Sequence, residues 1–211
     1  MGIQERKERE KQLRRNQILE AAEDLFFNKG IDITTMDDIA EKAELSKGTL
    51  YLYFKSKEDI QFELSIKGAD LLAREMEKDV DADKNGLENL ITTGRTFINF
   101  SKNHRGFFQL FLVFQSLDLR QLNIGEDKIE RHFREHSLFI MIIELVRKGM
   151  NDGSLREDLN VINTATTLWS QLLGLMIVQE YKTEIYKFFN VDKQQIFETN
   201  FDILIHGIAT N

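Results

Sequence analysis

TTMDDIAEKAELSKGTLYLYFKSK, residues 34–57, is the stretch that decides how this 211-residue chain folds. It holds two short helical patterns around a tight break, followed by an aromatic and basic run. Thr35 is placed to cap the first helix, with Asp38 at the capping-box spacing. Met36, Ile39, Ala40 and Ala43 then share one helical face. Glu44-Leu45-Ser46 interrupts the pattern, and Lys47 to Tyr53 forms the second helix, with Leu50 and Phe54 pointing inward. Ser56 opens a further helix, with Asp59 three residues on. Helices this short are marginal alone, since isolated helices below about 12 residues rarely persist in water. They need a longer helix to pack on.

Residues 13–29 supply it. Ile18, Ala22, Leu25 and Phe26 recur at helical spacing, Gly30 is a natural stop, and Phe26 or Phe27 is expected to pack on Ile33 and Ile39. A long helix followed by two short ones across a turn is the helix-turn-helix unit, whose second helix enters the DNA major groove. Residues 1–12 are almost wholly polar and read as a frayed, solvated lead-in. A basic arm of Arg6, Lys7, Arg9 and Lys11 is the alternative, weakened by Glu5, Glu8 and Glu10.

The residues also resemble a family. Thr34-Thr35, Asp38-Ile39-Ala40, Ser46-Lys47-Gly48-Thr49-Leu50-Tyr51 and Tyr53-Phe54-Lys55-Ser56-Lys57 are similar to the DNA-binding signature of TetR-family transcriptional regulators. With the preceding helix, the match spans Arg14 to Ile60. Glu44 departs from it, standing at the turn where such units often carry glycine. The resemblance implies DNA contacts from Thr34, Thr35, Ser46, Lys47, Gly48, Thr49, Tyr51, Tyr53, Lys55 and Lys57. The chemistry of each agrees. Small residues at a helix start let a phosphate approach closely. A side chain at Gly48 would obstruct that approach. Lys47 can donate to a guanine edge or a phosphate, tyrosine hydroxyls bind phosphate, and Lys55 and Lys57 suit the backbone.

Composition agrees with an all-α fold. The chain has no proline, 12 glycines and no cysteine, which excludes disulfides and thiolate chemistry. The N-terminus has no apolar core of a signal peptide, and no apolar run is judged to reach the roughly 18 residues of a membrane span. A soluble cytoplasmic protein is expected. The net charge of −7 argues at first against nucleic acid. Its distribution reverses that argument. Residues 1–57 carry 11 Lys+Arg and 11 Asp+Glu, whereas residues 58–211 carry 17 and 24. A DNA reader needs local positive charge rather than a basic average, and Lys47, Lys55 and Lys57 follow Glu44 with no acid among them.

The expected architecture is a three-helix DNA-binding unit, residues 1–56, and a larger helical effector-binding and dimerisation domain, residues 57–211. Helical patterns run over 57–79, 86–102, 107–117, 127–149, 158–181 and 192–208, with loops at 80–86, 118–126 and 149–156. Gly174, in mid-helix, is expected to admit a close helix neighbour. The resemblance implies that the last two helices pair with those of a second copy, and Leu168, Leu172, Leu175, Phe197, Phe201 and Leu204 are the candidates. A homodimer suits a palindromic double-stranded operator. The resemblance also implies a small effector, apolar or aromatic from the side chains available. Phe97, Phe108, Phe111, Phe133, His136, Trp169 and Met176 are the candidate pocket residues, between the helices at 57–79 and 158–181.

His132-Phe-Arg-Glu135-His136 fits an inverted zincin spacing, but three fixed positions are a weak signal and no third ligand is evident. No catalytic residue, cofactor or resident metal is expected. The functional expectation is a sequence-specific transcriptional regulator, a repressor released by its effector, with activation open because operator position is not encoded. The alternatives are a helical partner-binding module without DNA binding, and a zinc hydrolase built on His132, Glu135 and His136.

Overall fold

The computed structural model of the chain describes residues 2–116 and 138–210. Ten helices run through them: α1 Ile3–Asn28, α2 Met36–Lys42, α3 Lys47–Tyr53, α4 Lys57–Asp79, α5 Gly86–Asn103, α6 Arg105–Ser116, α7 Leu138–Asp152, α8 Val161–Tyr181, α9 Thr183–Phe188 and α10 Lys193–Ile208. Among the described residues there is no strand, only one isolated bridge between Leu155 and Ala209. The protein is all-α.

The chain forms two units, Met1–Ala69 with His104–His132 and Asp70–Asn103 with Phe133–Asn211. The first therefore takes in much of α4, together with α6, in addition to the three N-terminal helices. α4 is continuous across the boundary between Ala69 and Asp70.

In the first unit, Ile18, Ala22 and Phe26 of α1, Ile39 and Ala40 of α2, and Leu50 of α3 are buried with Phe54 and Ile60. These are the positions that the 3.6-residue spacing picks out. Phe27 behaves differently. It is partly exposed and sets its ring edge-on to Phe107 of α6, at 5.0 Å between centroids. Ile33 is exposed and lies outside the core, whereas Ile39 is buried. Gly106 makes room for Phe27, since a Cβ there would lie 2.4 Å from Cδ1 of that ring.

α1 also starts ten residues earlier than its apolar pattern. Residues 3–12 are helical rather than frayed, and 4–12 are exposed. Glu, Lys, Arg and Gln are good helix formers, and Arg6–Glu10 and Gln12–Asn16 side chains pair one turn apart.

In the second unit, α5 packs on α7, α7 on α8, and α8 on α10. Val146, Leu155 and Ala165 form the centre of that core. α5 and α7 meet so closely that a Cβ on Gly86 would sit 2.1 Å from the Gly149 amide nitrogen. Asp152 accepts from the Gly86 N–H at 2.8 Å, tying the start of α5 to the end of α7. Gly174, by contrast, has nothing within 4 Å of a built Cβ, so no helix among the described residues makes the expected close approach.

One expectation about membranes is corrected. α8 is long and apolar enough to cross one, with a mean hydropathy of 1.4 over its best window, of which 17% is buried. Its exposed polar residues, among them Asn163, Thr166, Thr167 and Ser170, and its packing on α7 and α10 describe a helix with an apolar inner side and a largely polar outer one.

Candidate nucleic-acid interface

The short helices owe their ends to side chains. Thr35 caps α2: its Oγ1 accepts from the Asp38 N–H at 3.2 Å and donates to Asp38 Oδ2 at 2.8 Å. Asp38 also accepts from the Thr35 N–H at 2.8 Å and pairs with Lys29 Nζ at 2.8 Å. The hydrogen bond from Lys29, then those from the Thr35 backbone and hydroxyl, lower the Asp38 pKa to about 2. At the other end, Gln17 of α1 donates to the Ala43 carbonyl at 2.8 Å, satisfying a carbonyl that the helix leaves open. Glu44 then takes φ 54°, the left-handed geometry of the turn. This explains why glycine suits the position, and Glu44 occupies it with some strain.

Ser46 caps α3, its Oγ accepting from the Thr49 N–H at 3.1 Å. Lys47, Gly48, Tyr51 and Leu52 lie exposed on this helix. Lys47 Nζ rests on Asp37 of α2 at 2.7 Å, which raises its pKa through that hydrogen bond and the opposite charge. Both partners remain in solvent, so the pair is easily exchanged for a phosphate or a base edge. Gly48 is uncrowded: a Cβ would come no nearer than 3.9 Å to Ser46 Oγ. Among the described residues nothing requires glycine there.

Arg15 secures the far end of α3. It donates to the Tyr53 carbonyl at 3.2 Å, pairs with Glu63 of α4 at 2.9 Å, and lies 4.2 Å over the Phe54 ring. One guanidinium thus joins α1, α3 and α4.

The expected contact residues fall into two groups. Ser46, Lys47, Gly48, Tyr51 and Lys55 are exposed on one continuous run, and Thr49 and Tyr53 are half-buried beside them. Thr34 and Lys57 are committed elsewhere. Thr34 is 1% exposed and its hydroxyl donates to the Gly30 carbonyl at 2.7 Å. Lys57 Nζ donates to the Ile31 carbonyl at 2.9 Å and more weakly to that of Asp32. Both hold the α1–α2 loop, and Thr35 is occupied as a cap. Leu52 escaped the sequence reading. It is 78% exposed, one turn after Gly48 and hence on the same face. Its absence from the Leu50–Phe54 inward spacing was the available signal.

In the second unit a cavity of about 60 Å³ opens among α4, α5, α7, α8 and α10. Phe97 and Trp169 both line it, stacked with ring centroids 5.6 Å apart and planes 3° from parallel. Met176 is buried on α8 without lining it, and Phe108 and Phe111 are buried on α6 of the first unit. Phe133, His136, His132 and Glu135 lie outside the described residues. Of the residues expected at a dimer contact, Leu172, Phe197 and Phe201 are buried within the single chain. Leu168, Leu172, Phe201 and Leu204 line the cavity, and Leu175 lines a shallow outer groove between α8 and α10. The apolar side chains that α8 and α10 leave exposed are Ile162, Val178, Tyr181 and Ile203.

A capped helix pair seated on a longer helix, with an open glycine beside lysine and tyrosine, defines a helix-turn-helix DNA-binding protein. Residues 18–64 match the family model of bacterial regulatory proteins of the tetR family. The chain is 30% identical over 149 residues to the HTH-type transcriptional repressor KstR2 of Mycolicibacterium smegmatis, covering 70% of each. It is 29% identical to the fatty acid metabolism regulator protein of Bacillus subtilis, over 69% of this chain and 72% of that one. Its fold matches the solved structure of the ketosteroid transcriptional regulator KstR2 of Mycobacterium tuberculosis at a TM-score of 0.59 and 23% identity, over 94% and 96% of the two chains. The chain belongs to the TetR family and is a DNA-binding transcriptional regulator.

Proposed function

We propose that the protein represses transcription as a homodimer on a palindromic operator and leaves it when a small apolar effector binds the second unit. The observation that carries this reading is on α4. At its first residue, Lys57 holds the carbonyls of Ile31 and Asp32, ahead of α2 and α3. Three residues before its end, Met76 lines the cavity. One helix therefore touches both the loop that leads into the DNA-reading pair and the cavity. The relatives named as a repressor and as a regulator of fatty acid metabolism support the same reading.

The mechanism is a population shift. An effector releases the operator only if it binds the non-operator conformation better, and a tenfold loss of operator affinity needs about 1.4 kcal/mol of such preference. DNA contact is assigned to Ser46, Lys47, Gly48, Thr49, Tyr51, Leu52, Tyr53 and Lys55, with Thr34, Thr35 and Lys57 shaping the surface. Genomic fragments captured by the purified protein supply the operator. The double variant Lys47→Ala, Tyr51→Ala is expected to lose the mobility shift on them while keeping its helical spectrum. Retained binding would move the interface elsewhere. Operator affinity that never changes across a panel of apolar compounds would overturn release by an effector.

A further inference from the structure

The cavity of the second unit contains a polar side chain with no hydrogen-bond partner among the described residues. Asn200 of α10 is 4% exposed, lines the cavity, and neither its Oδ1 nor its Nδ2 has a hydrogen bond. Buried amides are ordinarily satisfied, and leaving one unpaired is costly. The same unit shows how the fold satisfies one when it needs to. Asn89 is fully buried, its Nδ2 donates to the carbonyl of Asp81 at 2.8 Å, and its Oδ1 accepts from the Asp81 N–H at 2.9 Å. Asn200 has been given no such role.

The rest of the lining defines the company this amide keeps. The stacked Phe97–Trp169 pair and Phe201 supply aromatic walls, with leucines and isoleucines around them. The Thr93 hydroxyl is already bonded to the carbonyls of Asn89 and Leu90, each at 3.0 Å. Among the described residues no charged side chain lines the cavity. Arg95 is near, its guanidinium 5.7 Å from the Phe201 ring centroid, but it is paired with Glu198 at 3.0 Å.

We propose that this cavity takes a neutral, mainly apolar ligand whose one polar group both donates and accepts a hydrogen bond, as a hydroxyl or amide does, and pairs with Asn200. That such a ligand is also the effector rests on the reading of operator release given above. An amide presents an acceptor beside its donor. A carboxylate placed against it would meet Oδ1 as well as Nδ2, and would be buried without a counter-charge.

Trp169 is the single tryptophan of the chain and lines the cavity, so its fluorescence reports binding directly. The test titrates the full chain at neutral pH with two small probes of one shape, propanamide and propanoate, in keeping with a cavity of about 60 Å³. The carboxamide is expected to give a saturable change and to bind at least about tenfold tighter than the anion. Asn200→Leu is expected to weaken the carboxamide about fivefold or more, with an unfolding midpoint unchanged or raised. Equal affinity for the two probes, no saturable change with the carboxamide, or an unchanged affinity in Asn200→Leu overturns the proposal. Loss of dimer in that variant with probe affinity intact also overturns it, placing Asn200 at the contact between copies. If the variant does not fold, the preference between probes on the unaltered chain decides alone. Operator affinity measured alongside separates the two readings. Saturable carboxamide binding that leaves operator affinity unchanged sinks effector release and leaves the ligand class standing.

Discussion

Gly48 shows how one residue can serve binding at the expense of stability. A methyl group there meets nothing closer than 3.9 Å, and alanine is the better helix former by about 0.5–1 kcal/mol. Gly48→Ala is therefore expected to raise the unfolding free energy by about that amount while weakening operator binding about tenfold, the two read by denaturation and mobility shift. A variant that is weaker in both would mean a packing role. Lys55 and Lys57 look alike in sequence and differ in the fold. Lys55 is exposed, whereas Lys57 is tied to the Ile31 carbonyl at 2.9 Å. Lys55→Met is expected to reduce the salt slope of operator binding by about 1 without moving the unfolding midpoint. Lys57→Met is expected to cost about 1 kcal/mol of stability by removing that bond. If both variants change only the salt slope, Lys57 leaves its carbonyls to meet DNA.

At the scale of the element, capping residues decide whether α2 and α3 exist. The box at Thr35 and Asp38 and the stop at Gly30 with φ 105° were visible as local spacing. The cap is also the pH-sensitive part of the reader. Asp38 titrates at about 2 in the folded chain against an ordinary value of 3.8. A depressed carboxylate contributes stability above its unfolded pKa and loses it as pH falls through the folded one. The contribution is thus complete above about pH 4 and fades toward pH 2. Thermal unfolding followed down that range should show the loss in the native chain, and Asp38→Asn should flatten that limb of the curve. What the local pattern could not show were supports that come from a distance. Gln17 reaches Ala43, and Arg15 reaches Tyr53 and Glu63, across intervals of sequence that carry no periodic signal. The polar start of α1 was missed for the opposite reason: a helix exposed on every side has no apolar stripe to read.

At the scale of the whole molecule, α8 and α10 each leave apolar side chains in solvent after satisfying the core. Ile203 is 59% exposed, with Val178 and Tyr181 exposed on α8. If that surface joins two copies, Ile203→Asp should shift the protein from dimer to monomer in sedimentation and abolish the shift on a two-half-site operator. Its helical spectrum should be unchanged, because the side chain is not in the chain's own core. A dimer that survives the charge would move the contact off this face.

Apolar periodicity could not divide these faces, because Leu168, Leu172, Phe197 and Phe201 are as hydrophobic as the residues that stay outside. Only packing assigns them inward, toward the core and cavity. The same is true of Thr34 and Lys57, whose chemistry suited a phosphate until the fold set carbonyls of the α1–α2 loop beside them. The sequence by itself determined the reader, its all-α class and its family, because short-range spacing, caps and turn residues act over a few positions and survive in one dimension. The tertiary structure alone decided which residues remain free to act. Exposure, partnership and an unpaired Asn200 depend on what lies across the fold, and that information is spread over residues far apart in the chain.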